Sequence, residues 1–157
     1  MKTEKKPFVY VDHAATVPIT DSVRAAMEPF LTTTFGNPSS AYGAGRASSR
    51  AVLDARRRIA AVLGCSPKEI FFTSGGTEAD NWAIKGSAFA NNLCGHIAYS
   101  AMEHHAVLHA AAFVRRFGMD ADEIPVDSDG IVTADAVDAS MRDDTRLAAV
   151  MLANNEI

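Results

Sequence analysis

The sequence predicts an α/β fold: a partial three-layer sandwich in which helices cover the faces of a mostly parallel sheet. Three observations lead there. Short apolar runs alternate with longer amphipathic stretches, the pattern of strands joined by helical crossovers. Glycine, serine, asparagine and proline stand at the joints between them. The chain ends at Ile157 directly after an apolar run. A parallel sheet hides both faces, so this one is expected to be cut off in its middle.

The elements follow in order. Residues 8–11 are a short β-rich run. Thr20, Asp21 and Ser22 offer caps for a helix over 23–33, and residues 36–40 (Gly-Asn-Pro-Ser-Ser) form a turn-rich loop. Ala51, Val52, Ala55, Ile59, Val62 and Leu63 recur at helical spacing, predicting a helix over 47–63 that Gly64 stops. Ser66, Pro67 and Glu69 form a capping box for a single turn. A buried strand is expected at 70–73, a break at 74–77 and a helix over 78–91. The alternation continues with a strand at 97–100, a helix at 106–117 and a strand at 122–126. A turn at 127–130, a short helix at 134–141 and a strand at 147–152 complete it.

Composition excludes several functions. The net charge of -4 lacks the basic surplus of a nucleic-acid binder, and the run Arg56, Arg57, Arg58 beside Asp54 reads as a solvated helix face. The polar, lysine-rich residues 1–6 lead into no long apolar segment, and nowhere do about eighteen apolar residues run together. A cytoplasmic protein without a membrane span is therefore expected. Cys65 and Cys94 are far apart, suggesting reduced thiols and neither a disulfide framework nor a thiolate metal site.

Three segments could carry chemistry. In Thr73-Ser74-Gly75-Gly76-Thr77-Glu78, glycines at a helix start let backbone amides approach an anion, with the helix dipole and the Thr77 hydroxyl favouring a phosphate. An ordinary tight turn is the bland alternative. In Ser100-Ala101-Met102-Glu103-His104-His105, His104 follows a strand on the rim where open parallel sheets bind ligands, able to stack on a flat ring or move protons. His105 and His109 have the spacing of a helical metal pair, but no third ligand is evident, so no metal site is expected. In Met151-Leu152-Ala153-Asn154-Asn155, asparagine side chains at a strand end can orient a ligand, or Asn154 can simply cap the turn.

The strings Val11-Asp12-His13-Ala14-Ala15-Thr16, Phe35-Gly36-Asn37-Pro38-Ser39-Ser40, Thr73-Ser74-Gly75-Gly76-Thr77-Glu78-Ala79-Asp80-Asn81, Glu103-His104-His105-Ala106-Val107 and Asn154-Asn155-Glu156-Ile157 together resemble those of the cysteine desulfurases. These are class V aminotransferase-like, fold type I pyridoxal-phosphate enzymes. The resemblance implies that residues 1–20 are an N-terminal segment and 21–157 an incomplete cofactor-binding large domain. It implies pyridoxal 5'-phosphate as cofactor, with Gly76 and Thr77 on its phosphate, His104 stacked on its ring and assisting proton transfer, and Asn155 on the ring hydroxyl. Ala14 and Asn37 would line the substrate side. His13 and Val17 stand where relatives often have asparagine and threonine, away from the cofactor contacts.

Further implications concern the whole enzyme: L-cysteine as substrate, L-alanine and an enzyme persulfide as products, a homodimer, and a scaffold protein accepting sulfur for iron-sulfur clusters or thiolation. The family's Schiff-base lysine, the aspartate facing the ring nitrogen, the persulfide cysteine and the substrate-binding arginine fall beyond the position matching Ile157. Lys2, Lys5, Lys6, Lys68 and Lys85 lack the family's histidine-lysine context. This chain alone is thus expected to be inactive. A selenocysteine lyase, another class V enzyme, or a non-catalytic truncated protein acting by association are the alternatives left open.

Overall fold

The computed structural model describes residues 8–157; Lys2, Lys5, Lys6 and the polar run they belong to lie outside them. Two compact units divide the chain, Met1–Phe72 and Thr73–Ile157.

The first unit holds two helices. In α1, Asp21–Thr32, the Thr20 hydroxyl accepts the Val23 amide at 3.4 Å, supplying the cap expected of that residue type. The longer α2, Gly43–Leu63, begins four residues before the periodic stretch and ends where Gly64 turns left-handed at φ 69°. A 3-10 turn at Pro67–Glu69 follows with its capping box complete: Glu69 reaches back to the Ser66 amide at 2.7 Å.

Neither expected strand of this region forms a ladder among the described residues: 8–11 and 70–73 carry no strand hydrogen-bond pattern. At 70–73 the reason is visible. The Ile70 carbonyl, which a ladder would use, accepts Arg56 Nε at 3.2 Å, and the same guanidinium lies over the Phe72 ring at 5.5 Å. The arginine run is therefore not uniformly solvated: Arg57 pairs with Asp54 at 3.0 Å on the exposed face, whereas Arg56 turns toward the chain it supports.

The second unit carries the sheet. Helix α3, Gly76–Ala90, leads into strand β1, His96–Ser100; helix α4, His105–Arg115, crosses to β2, Asp120–Ile124; and α5, Ala134–Ser140, precedes β3, Thr145–Ala149. The strands are parallel in the order β2-β1-β3. All five residues of central β1 are buried. The core joins Ile84 and Ala88 of α3, Ile97 and Tyr99 of β1, Val107, Ala110, Ala111 and Val114 of α4, and Met119 and Ala121. The alanines let α4 lie close to its neighbours while the aliphatic residues fill the space between. Burial, aided by the Glu123 carboxylate, pushes the Tyr99 phenol above its ordinary pKa. Helix α5 is capped by Thr133, whose hydroxyl accepts the Ala136 amide at 3.2 Å, and buries none of its own residues.

At the amino end of the sheet, Arg142 bonds Asp120 at 2.9 Å and Asp144 at 3.0 Å. The arginine holds the Asp144 carboxyl below its ordinary pKa. Thr145 Oγ1 accepts the Arg142 amide at 2.8 Å and lies 2.9 Å from Nδ1 of fully buried His96. The other ring nitrogen, Nε2, is 3.4 Å from Asp122 but not aligned for a hydrogen bond.

Candidate functional site

Thr77 is the second residue of α3. The residue before the helix, Gly75, has no side chain to cap it, and no side-chain cap hydrogen bond is made. The amides of the helix's first turn therefore point outward as unsatisfied donors. A Cβ built on Gly75 or Gly76 meets nothing within 4 Å, so neither glycine is crowded by the protein. The Thr77 hydroxyl adds another donor, while its carbonyl is held by Asn81 Nδ2 at 2.9 Å. Glu78 folds back to accept the Ser74 amide at 2.6 Å, and that bond lowers its carboxyl pKa. Backbone amides, a hydroxyl and the positive end of a helix dipole are a donor set that suits a phosphate.

His104 caps α4: its Nδ1 accepts the Ala106 amide at 3.1 Å. With Nδ1 an acceptor, the neutral ring carries its hydrogen on Nε2. The residue is exposed and follows β1 by four positions. Asn155, also exposed, lies just beyond β3.

The segments leaving β1 and β3 are tied to each other. Glu103 Oε1 accepts the Ser100 hydroxyl at 2.8 Å and the Met151 amide at 2.5 Å, and Asn154 Nδ2 donates to the Met102 carbonyl at 3.0 Å. Asn154 Oδ1 also accepts the amides of Glu156 and Ile157, so the residue caps its turn and bridges the two exits at once. These bonds end β3 at Ala149, three residues before the expected limit, because the Met151 amide goes to a side chain instead of a ladder. His104 and Asn155 are thereby carried on neighbouring, cross-linked segments.

Thr77 lies at the start of the helix that precedes β1. Residues 91–95 join α3 to β1, and Ile84 and Ala88 of the helix pack in one core with Ile97 and Tyr99 of the strand. Beside the rim lies a pocket of about 360 Å³ lined by Ser100, Met102, Ile131, Met151 and Asn154 among others; Thr77, His104 and Asn155 are not among its walls.

Ala14 and Asn37 belong to the first unit. Ala14 sits in an exposed turn whose ends are held by the Tyr10 hydroxyl, 2.6 Å from the Asp12 carbonyl and 2.9 Å from that of Thr16. Asn37 accepts the Ser39 amide at 2.9 Å, and its loop closes onto α2 at Gly45, where a Cβ would come within 2.7 Å of the Asn37 carbonyl oxygen. Gly36 and Pro38 from this loop border an apolar groove of about 400 Å³ with Phe30, Phe35, Val52 and Phe72.

The His105 and His109 rings stack at 5.4 Å, and among the described residues no group of three or more candidate ligands could hold a metal ion. Sequence reasoning missed Glu103 and the bridging bond of Asn154. The only signal for Glu103 was a carboxylate directly between an apolar strand and a rim histidine.

A parallel sheet with helical crossovers, whose first and third strand exits are cross-linked by polar side chains, defines an α/β protein of the open-sheet kind. The chain matches the family described as aminotransferase class-V over residues 9–157, and it belongs to that family. It is 50% identical over 158 residues to cysteine desulfurase IscS of Methanosarcina thermophila, an alignment covering 100% of this chain and 39% of that protein. Against cysteine desulfurase IscS of Dictyoglomus turgidum the identity is 48% over 150 residues, covering 95% and 38%. Among solved structures, a NifS-like protein superposes with a TM-score of 0.89 at 38% identity, covering 95% of this chain and 41% of the other. SspA in complex with cysteine gives 0.89 at 36% identity, covering 94% and 43%. The chain spans about two fifths of the length of the curated relatives it matches.

Proposed function

We propose that this chain supplies the phosphate-binding and ring-binding part of a pyridoxal-phosphate-dependent cysteine desulfurase, an enzyme that takes sulfur from L-cysteine, leaves L-alanine and carries the sulfur as a persulfide. The observation that supports the reading is the pair of cross-linked strand exits that bear His104 and Asn155; beside them the reading places the first turn of α3 with Thr77, which has no side-chain cap. The names of the relatives and the cysteine-bound neighbour support it.

Pyridoxal phosphate, when bound, supplies an electron sink for charge developing at the substrate's α-carbon. This chain's residues have the following parts. The amides of Gly76 and Thr77 and the Thr77 hydroxyl bind the phosphate, anchoring the group away from the reacting atoms. His104, fixed in orientation by its bond to Ala106, covers the ring face and holds or passes a proton at Nε2. Asn155 donates to the ring hydroxyl. Ala14 and Asn37 border the substrate. Residues 21–157 are on this reading the incomplete cofactor-binding domain, and the whole enzyme a cytoplasmic homodimer that hands sulfur to a scaffold protein.

The test uses the gene product that contains this chain. Purified, it should be yellow and release sulfide from L-cysteine in the presence of a thiol reductant. A colourless product that releases none would overturn the assignment. Thr77→Val should weaken retention of the cofactor on dialysis.

A further inference from the structure

We propose that Glu103 is a positioning residue that sets the separation of His104 and Asn155 before any ligand arrives. The β1–β3 ladder runs out at the pair Tyr99 and Ala149, yet both functional candidates lie beyond it. Past that point the backbone no longer holds the two segments together, and the Glu103 side chain takes over. One carboxylate oxygen accepts from Ser100 on its own strand and from Met151 on the neighbouring one. The Asn154–Met102 bond closes the bridge on its far side. Each bridging residue is the sequence neighbour of a candidate ligand residue: 103 precedes 104, and 154 precedes 155. An error at Glu103 is therefore transmitted to both. Glu103 itself is partly buried and engaged with protein donors, so its role is exerted through its neighbours. The consequence for a ligand rests on the cofactor reading above; the preset geometry does not.

The experiment measures two quantities on the gene product that contains this chain, stripped of any bound cofactor: amide hydrogen exchange without ligand, and calorimetric affinity for 4'-deoxypyridoxine 5'-phosphate, which has no aldehyde to react with lysines. Glu103→Ala should speed exchange at the Met151 amide and through 152–155 by roughly tenfold and weaken probe binding about tenfold, the scale of one lost charge-assisted hydrogen bond. The α4 amides of Ala110 and Val114 should keep their protection. Glu103→Gln retains an acceptor oxygen and should restore both readouts, a rescue that geometry requires and charge alone does not. Wild-type exchange and affinity in Glu103→Ala, or a Glu103→Gln variant as impaired as Glu103→Ala, overturns the proposal. If Glu103→Ala does not fold, Asn154→Asp decides on the same readouts, since it keeps the acceptor for Glu156 and Ile157 and loses the donor to Met102. Should the wild-type gene product ignore the probe while the exchange pattern follows Glu103, the cofactor reading falls and the positioning role stands. Should Thr77→Val abolish binding while Glu103→Ala changes neither readout, the positioning role falls and the cofactor reading stands.

Discussion

Nδ1 of His104 accepts the amide hydrogen of Ala106 at 3.1 Å, so the imidazole begins a helix while the residue stays exposed past the end of β1, where the proposed function uses its ring. The two duties can be separated. His104→Ala should destabilise the protein by about 1 kcal/mol through the lost cap. His104→Asn, which caps as well, should restore most of that stability without restoring a flat ring to the rim. Denaturant unfolding read beside affinity for the phosphorylated pyridine probe checks both halves.

Glu78 makes the start of α3 acid-sensitive. Its carboxyl, bonded to the Ser74 amide, titrates below the ordinary value of 4.5. A carboxyl depressed in the folded state contributes its stabilisation above the unfolded value and loses it as pH falls through the folded one. Melting temperature should therefore drop as pH is lowered from about 5 toward 3, and Glu78→Gln should flatten part of that decline. An unchanged acid slope in the variant would refute the assignment.

The buried ring of His96 depends on Thr145. Nδ1 of His96 lies 2.9 Å from Thr145 Oγ1, and the same hydroxyl oxygen accepts the Arg142 amide at 2.8 Å. Thr145→Val removes the partner of His96 and the acceptor for Arg142 together, at a cost of about 1–3 kcal/mol. A double-mutant cycle with His96→Leu should show the two losses to be non-additive.

Gly95 and Gly64 are both left-handed, at φ 101° and 69°, but only one is crowded. A Cβ on Gly95 would meet the Asp144 carbonyl oxygen at 2.6 Å, where it accepts the His96 amide, while a Cβ on Gly64 meets nothing within 4 Å. Gly64→Ala should cost about 1 kcal/mol, and Gly95→Ala clearly more, because it also pushes β1 from β3. Equal melting shifts for the two would contradict this.

Elements whose evidence is local were legible in the sequence. The period of α2, the glycine that stops it and the capping box at Ser66 all act within a few residues, and each appears where the residue types put it. Thr77 and His104 could be named because each stands a short step past an apolar run, and Asn155 through the resemblance carried by residues 154–157. What stayed hidden depends on partners distant in sequence. Glu103 finds Met151 across 48 residues and Asn154 finds Met102 across 52, so nothing near either residue announces its bond. The expected strand at 70–73 failed for a related reason: its Ile70 carbonyl went to Arg56, 14 residues earlier.

The sheet order β2-β1-β3 also has a temporal meaning. His96 must wait for Thr145, 49 positions later, before the second edge of the middle strand is covered. At a ribosomal rate of roughly 5–20 residues per second, that edge stays open for about 2–10 s, long enough for any neighbouring nascent strand to compete for it. The polar hub at Arg142, made just ahead of Thr145, is thus well timed to capture the arriving strand in the correct register.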